Sequence, residues 1–218
     1  MKKVLFELDN EPMSGLTHFV GFLLAVAALV VLVVFASLYG TAWHVVGFSL
    51  FGATMILLYA ASTLYHFFPI THAAKEVLRR IDHAMIYVLI AGSYTPICLV
   101  TLRGGWGWSL FGVIWGLAIL GVVWKSVAKK PNKVLSTLLY IAMGWLAVIA
   151  LVPLKSSLSV DGLWWLFLGG VFYTGGAIAF AFSHIKFHPR WFGMHEVWHL
   201  CVIAGSFSHF WLMLRFVL

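Results

Sequence analysis

The sequence predicts an all-α, integral membrane bundle of seven helices, with the N-terminus cytoplasmic and the C-terminus outside. Three observations carry this. Of 218 residues 62% are hydrophobic and 10% charged, where a soluble domain carries roughly 25% charged residues. Charge-free intervals long enough to cross a bilayer recur along the chain. Lys and Arg gather in alternate connections. This composition excludes a disordered chain, a secreted disulfide scaffold and an ordinary cytosolic enzyme. Cys98 and Cys201 both lie in apolar runs and read as free buried thiols.

The spans follow from the charges. No Asp, Glu, Lys or Arg occurs between Glu11 and Lys75. A membrane helix needs about 20 apolar residues, so this interval holds two, over 14–38 and 43–67, divided near Tyr39-Gly40-Thr41. The later uncharged intervals 83–102, 104–124, 134–154, 162–185 and 197–214 hold one span each. The expected spans are 83–102, 105–125, 133–153, 162–183 and 194–216. They make residues 1–218 a single seven-span domain with short connections, the longest near 68–82 and 184–193. The alternating polarity of barrel strands is absent. The first apolar run is too long, and lacks a small-residue exit site, for a cleaved signal peptide. Pro96 is expected to kink the third span. Gly112 and Gly116 form a GxxxG pattern, and Gly169, Gly170, Gly175 and Gly176 crowd the sixth span; close helix packing accounts for both.

Eleven of the 14 Lys and Arg residues share the N-terminal side: Lys2, Lys3, Lys75, Arg79, Arg80, Lys125, Lys129, Lys130, Lys133, Lys186 and Arg190. Arg103, Lys155 and Arg215 fall on the other side. Positive loops stay in the cytoplasm, which sets the direction and predicts a multi-pass membrane protein. The pI near 9.6 follows from loop charges facing anionic lipid, so membrane lipids are the expected partners and nucleic acid is not.

Ionisable side chains in or beside membrane spans are expensive and point to function. His18, His66, His83, His195, His199 and His209 lie in or at the ends of spans. Ser62 and His66 are four apart and share a helix face. His195 and His199 have the same spacing, which lets two imidazoles grip one metal ion. Asp82 opens the third span. Taken alone, it reads as a helix N-cap, and Ser62 taken alone as bonding back to its own helix. The alternating span directions bring His66, Asp82, His195, His199 and His18 to one cytoplasmic layer. His209 is ten residues beyond His199, roughly 15 Å deeper at 1.5 Å per residue, and is left out.

Three neutral imidazoles with one open position make an arrangement for catalytic zinc, and imidazole suits zinc. Asp82 would then hold or deprotonate a water, and Ser62 would hydrogen-bond that water or a substrate carbonyl. The string H-E-V-W-H at 195–199 also fits the HExxH pattern of metalloproteases, with Glu196 as base. The Asp-Gly companion expected of an intramembrane protease is not evident, because Asp161-Gly162 lies at the outer end of span six.

At these residues the chain resembles the bacterial hemolysin III group of the progestin and adiponectin receptor (PAQR) family. The likeness covers nearly the whole chain. It rests on EPMSGLTHFVG at 11–21, ASTLYHF at 61–67, DHAMIYVLIAGSYTP at 82–96, AMGW at 142–145, HEVWH at 195–199 and GSFSHF at 205–210. The resemblance implies a seven-helix bundle with zinc held by His66, His195 and His199. It further implies that Asp82 and Ser62 act on the water of that centre, and it gives Glu196 no part. The wider superfamily includes alkaline ceramidases, which hydrolyse a lipid amide. No receptor-type N-terminal extension is present, so hormone binding is not expected.

The expected function is membrane lipid metabolism or homeostasis, as a zinc-dependent hydrolase of a lipid amide or ester. The alternative is a non-enzymatic membrane sensor with structural zinc. Pore formation is disfavoured, since no row of charges lines a channel.

Overall fold

The computed structural model describes residues 12–68, 71–128, 132–188 and 191–218. Lys2, Lys3, Lys129, Lys130 and Arg190 of the charge pattern lie outside the described residues. Among the described residues, seven helical stretches are long and apolar enough to cross a membrane. The first four are α1 (Pro12–Tyr39), α2 (Ala42–Phe67), α3 (His72–Pro96) and α4 (Gly105–Val127). The fifth is α5 (Lys133–Gly144) continued by α6 (Leu151–Ser157), the sixth α7 (Val160–Ala181) and the seventh α8 (Met194–Leu212). Large apolar side chains such as Leu24, Val30, Leu120 and Val152 stand exposed on the outer faces, where lipid replaces water.

Burial ranks the helices. In α3 the most apolar window is 67% buried and in α2 56%, against 17% for the fifth and sixth spans. The inner helices are therefore α2, α3 and α8, and these carry the candidate residues. Inside them hydroxyls bond back to the helix, as Thr63 does to the Tyr59 carbonyl and Thr95 to that of Ala91. This is the usual solution where no water is at hand.

The structure corrects the sequence reading at four places. The third span starts at His72, not 83, so the expected 68–82 connection shrinks to the residues before Thr71, which caps α3 by accepting from the Ala74 N–H. The segment HAAKEVLRR is rich in helix formers, and Glu76 pairs with Arg79 and Arg80 at helical spacing. Charge keeps these turns out of the lipid without stopping the helix. Asp82 is thus a buried residue in the middle of α3, and the N-cap reading fails.

The fifth span, expected as one helix over 133–153, breaks after Gly144, runs as a 3₁₀ turn over Leu146–Ala150 and resumes. The Tyr94 hydroxyl fills the break. It lies 2.9 and 2.8 Å from the carbonyls of Met143 and Gly144 and accepts from the Ala147 N–H at 2.8 Å. Backbone groups freed in a membrane need such partners.

Gly112 and Gly116 face open space rather than a packed helix. Two glycines of α7 do meet α8: a Cβ on Gly169 would lie 2.3 Å from His209 Nε2, and one on Gly176 3.0 Å from Cys201 Cβ, whereas one on Gly170 would approach only Trp145, at 3.6 Å, and Gly175 faces open space. The expected loop 184–193 contains a hairpin of β1 (Lys186–His188) and β2 (Phe192–Gly193), with Lys186 opposite Gly193. At Pro96 the regular helix passes into a π-helical turn over Ile97–Thr101, as expected where a proline removes a ladder bond. Cys98 and Cys201 are free thiols.

Candidate metal centre

The centre forms where α8 begins. The hairpin delivers Gly193, whose N–H donates to Glu196 Oε2 at 2.7 Å. The other carboxylate oxygen of Glu196 accepts from Ser14 Oγ of α1 at 2.6 Å. Both oxygens are therefore committed to holding the start of α8 against α1. This is a capping role, and it accounts for the middle of HExxH without a protease.

One turn on, His199 is buried, and its Nδ1 lies 3.1 Å from the Ser14 carbonyl and 3.1 Å from Thr17 Oγ1. The Thr17 hydroxyl itself donates to the Ser14 carbonyl. A carbonyl oxygen only accepts, so Nδ1 carries the proton and the Nε2 lone pair is left for a ligand. Metal-binding histidines are oriented in this way. His199 Nε2 is buried without a hydrogen-bond partner.

His66, at the end of α2, sets its Nε2 3.4 Å from His195 Nε2. Two nitrogens about 2.0–2.1 Å from a tetrahedral zinc ion stand roughly 3.3–3.4 Å apart. Ligand atoms of His66, His195 and His199 all lie within 4.8 Å of one another, close enough to hold a metal ion. The donor set and the orphaned nitrogen both fit such an ion.

Asp82 and Ser62 adjoin this cluster. Asp82 is buried and lies within electrostatic reach of His66 and His83. Ser62 faces the Asp82 carboxyl but makes no hydrogen bond of standard geometry, not even to its own helix. It departs from the back-bonding seen at Thr63 and Thr95. His83 turns away, with Nδ1 2.6 Å from the Arg79 carbonyl.

Sequence reasoning left His18 without a role. Its ring stacks on His199 at 3.6 Å between centroids and 9° between planes, and neither ring nitrogen has a partner. The signal available was its shared depth with the other histidines. His209 stays outside the cluster, packed against Gly169 and Tyr173.

A cavity of about 700 Å³ runs from Asp82 and His18 through the bundle to Lys155 and Leu158 at the opposite end. Its walls include Leu89, Ile141, Leu163 and Phe167 and are mostly apolar. Asp82 and His18 are the edge of the centre that meets this space; the three clustered histidines lie behind them.

Fold and site together define a seven-span membrane protein with a largely buried cluster of three histidines beside an apolar chamber. The chain belongs to the haemolysin-III related family, which it matches over residues 6–210. It is 44% identical over 211 residues to a hemolysin-3 homolog of Bacillus subtilis (strain 168), covering 96% of this chain and 95% of that one. It is 43% identical over 212 residues to hemolysin-3 of Bacillus cereus, covering 97% and 93%. Those names describe those proteins. Seven spans and this family membership make the chain a multi-pass bacterial membrane protein.

Proposed function

We propose that the protein binds zinc through His66, His195 and His199 and hydrolyses an amide or ester bond of a membrane lipid. The observation that carries this reading is three imidazoles converging within 4.8 Å beside a buried carboxylate. The apolar chamber supports it, since about 700 Å³ falls within the roughly 300–1,000 Å³ usual for ligand sites and suits an acyl chain. When bound, zinc supplies Lewis acidity and lowers the pKa of water.

The chain's own residues supply the rest. The acyl chain lies between α3, α5 and α7, with the scissile carbonyl at the Asp82 end. Asp82 accepts the proton of the attacking water on a carboxylate oxygen and returns it to the leaving group. Ser62 donates a hydrogen bond to the carbonyl oxygen, a use open to it because its hydroxyl is turned toward Asp82 and is not bonded back to its own helix. The Ser14 carbonyl keeps His199 in its metal-binding tautomer. The resemblance to the PAQR family, whose wider superfamily includes alkaline ceramidases, points the same way.

Purified protein is expected to carry about one zinc per chain, and to release fatty acid from at least one lipid of a panel. His195→Ala should lose both. Asp82→Asn should keep the metal and lose roughly 10²–10⁴ in rate. Full zinc occupancy with no lipid cleaved would overturn the hydrolase.

One observation favours a second reading. The clustered histidines do not themselves line the chamber, and an ion there would tie α2 to α8 as a structural clamp in a non-enzymatic sensor. In that case stable Asp82→Asn protein retains its cellular function.

A further inference from the structure

A second polar site lies on the cytoplasmic side, outside the histidine cluster. Arg79 and Arg80 of α3, Lys125 of α4 and Lys133 of α5 converge on one small open pocket, with His83 and Tyr140 in its wall. Of these four basic side chains the two arginines grip the same carboxylate, Glu76. Lys125 is only 4% exposed. Its Nζ donates to Ser136 Oγ at 2.6 Å and stands 5.9 Å from the Tyr140 ring centre. Among the described residues it has no carboxylate partner. A buried ammonium held near other cations is costly unless something negative joins it.

The positive-inside rule accounts for basic residues on this face but not for their gathering. Loop cations that only set orientation lie in water. Here one is nearly enclosed, and three others border the same opening. Ser126, whose carbonyl accepts from Arg80, and Lys125 end α4, so the pocket sits where lipid headgroups lie. It shares Tyr140 and Phe180 with the apolar chamber. A small basic opening at this depth, backed by Tyr140 and Phe180, offers cations to the phosphate of a phosphodiester seated at its mouth while the acyl chains remain in the membrane.

We propose that this pocket is a binding site for the phosphate group of an anionic phospholipid of the cytoplasmic leaflet, with Lys125 as its buried anchor and Arg80 and Lys133 at its rim. The proposal stands whether or not the histidine cluster holds zinc.

The test uses the full chain in a zwitterionic detergent, with native mass spectrometry counting retained lipid. Phosphatidylglycerol and phosphatidylcholine with identical acyl chains are titrated separately. Phosphatidylglycerol should be retained at least about tenfold better, and each rim cation removed, by Arg80→Gln or Lys133→Gln, should lower retention about fivefold. Lys125→Met should abolish the preference and Lys125→Arg should restore it; a purely structural lysine would not move this ratio. Arg215→Gln, on the opposite face, should leave it unchanged. If Lys125→Met does not fold, the exposed Lys133 and the rim Arg80 carry the test. Inorganic phosphate at the lipid's concentration should not displace phosphatidylglycerol; displacement would assign the pocket to free phosphate and overturn the lipid. Equal retention of the two lipids, or a preference that survives loss of the cations, overturns the site.

Discussion

Glu196 shows how one residue's partners decide its role. The string H-E-V-W-H offers it as the general base of a metalloprotease, a reading the family resemblance does not support. With one oxygen 2.7 Å from the Gly193 nitrogen and the other 2.6 Å from Ser14 Oγ, it is anchored on both sides. A glutamine can keep only one of these bonds in its acceptor role. Glu196→Gln should therefore retain metal and lose roughly 1.5–3 kcal/mol of stability, the usual contribution of a hydrogen bond to a charged group. Metal analysis and chemical denaturation of the variant would check this; complete loss of metal with unchanged stability would contradict the capping role. Ser62 makes the opposite case. Its neighbour Thr63 satisfies its hydroxyl on the Tyr59 carbonyl at 2.7 Å, while Ser62 turns its own away from the helix toward Asp82.

Helix boundaries and breaks explain how these residues meet. The extension of α3 back to His72 moves Asp82 from an expected helix start into the buried middle of the most enclosed helix. The break in the fifth span, plugged by Tyr94, coincides with the chamber, whose wall includes Gly144, Trp145 and Ala147. An unbroken helix there would alter that wall. The turn into α4 rests on Gly104, whose φ of 128° is the one positive value among the described residues. A Cβ there would meet nothing within 4 Å, so the cost of Gly104→Ala is purely that of the backbone. It should destabilise the protein by roughly 1–3 kcal/mol without disturbing metal content. Thermal denaturation in detergent measures this, and an unshifted transition would mean that the turn adopts another conformation.

For the molecule as a whole, a bound ion would join the last turn of α2 to the first turns of α8, where the Tyr59–Ser206 hydrogen bond already links the two helices farther along. Metal that binds only the folded state adds about 4 kcal/mol when present at a thousand times its dissociation constant. For a chain of this size that corresponds to roughly 8–16 °C in melting temperature. A strong chelator should lower the melting temperature of the native protein by this order and leave His66→Ala untouched. Identical melting of the native protein with and without chelator would remove the metal from the account. The outer helices contribute in another way. They bury only a minor share of their surface within the bundle and enclose the chamber against lipid.

The number of spans, their direction and the level at which the histidines sit were written in the sequence. Bilayer thickness and the cost of charge in lipid act on each segment separately, so composition alone reports them. His66, His195 and His199 were legible for the same reason: helical spacing and alternating direction already bring them to one layer. What the tertiary structure decided is everything that depends on how helices turn toward one another. It set His18 against His199, turned Ser62 toward Asp82, occupied both oxygens of Glu196, opened the chamber beside Asp82 and gathered Lys125 with two arginines. Such contacts join residues far apart in the chain through the rotation and tilt of packed helices, and a pattern read along one helix carries no measure of either.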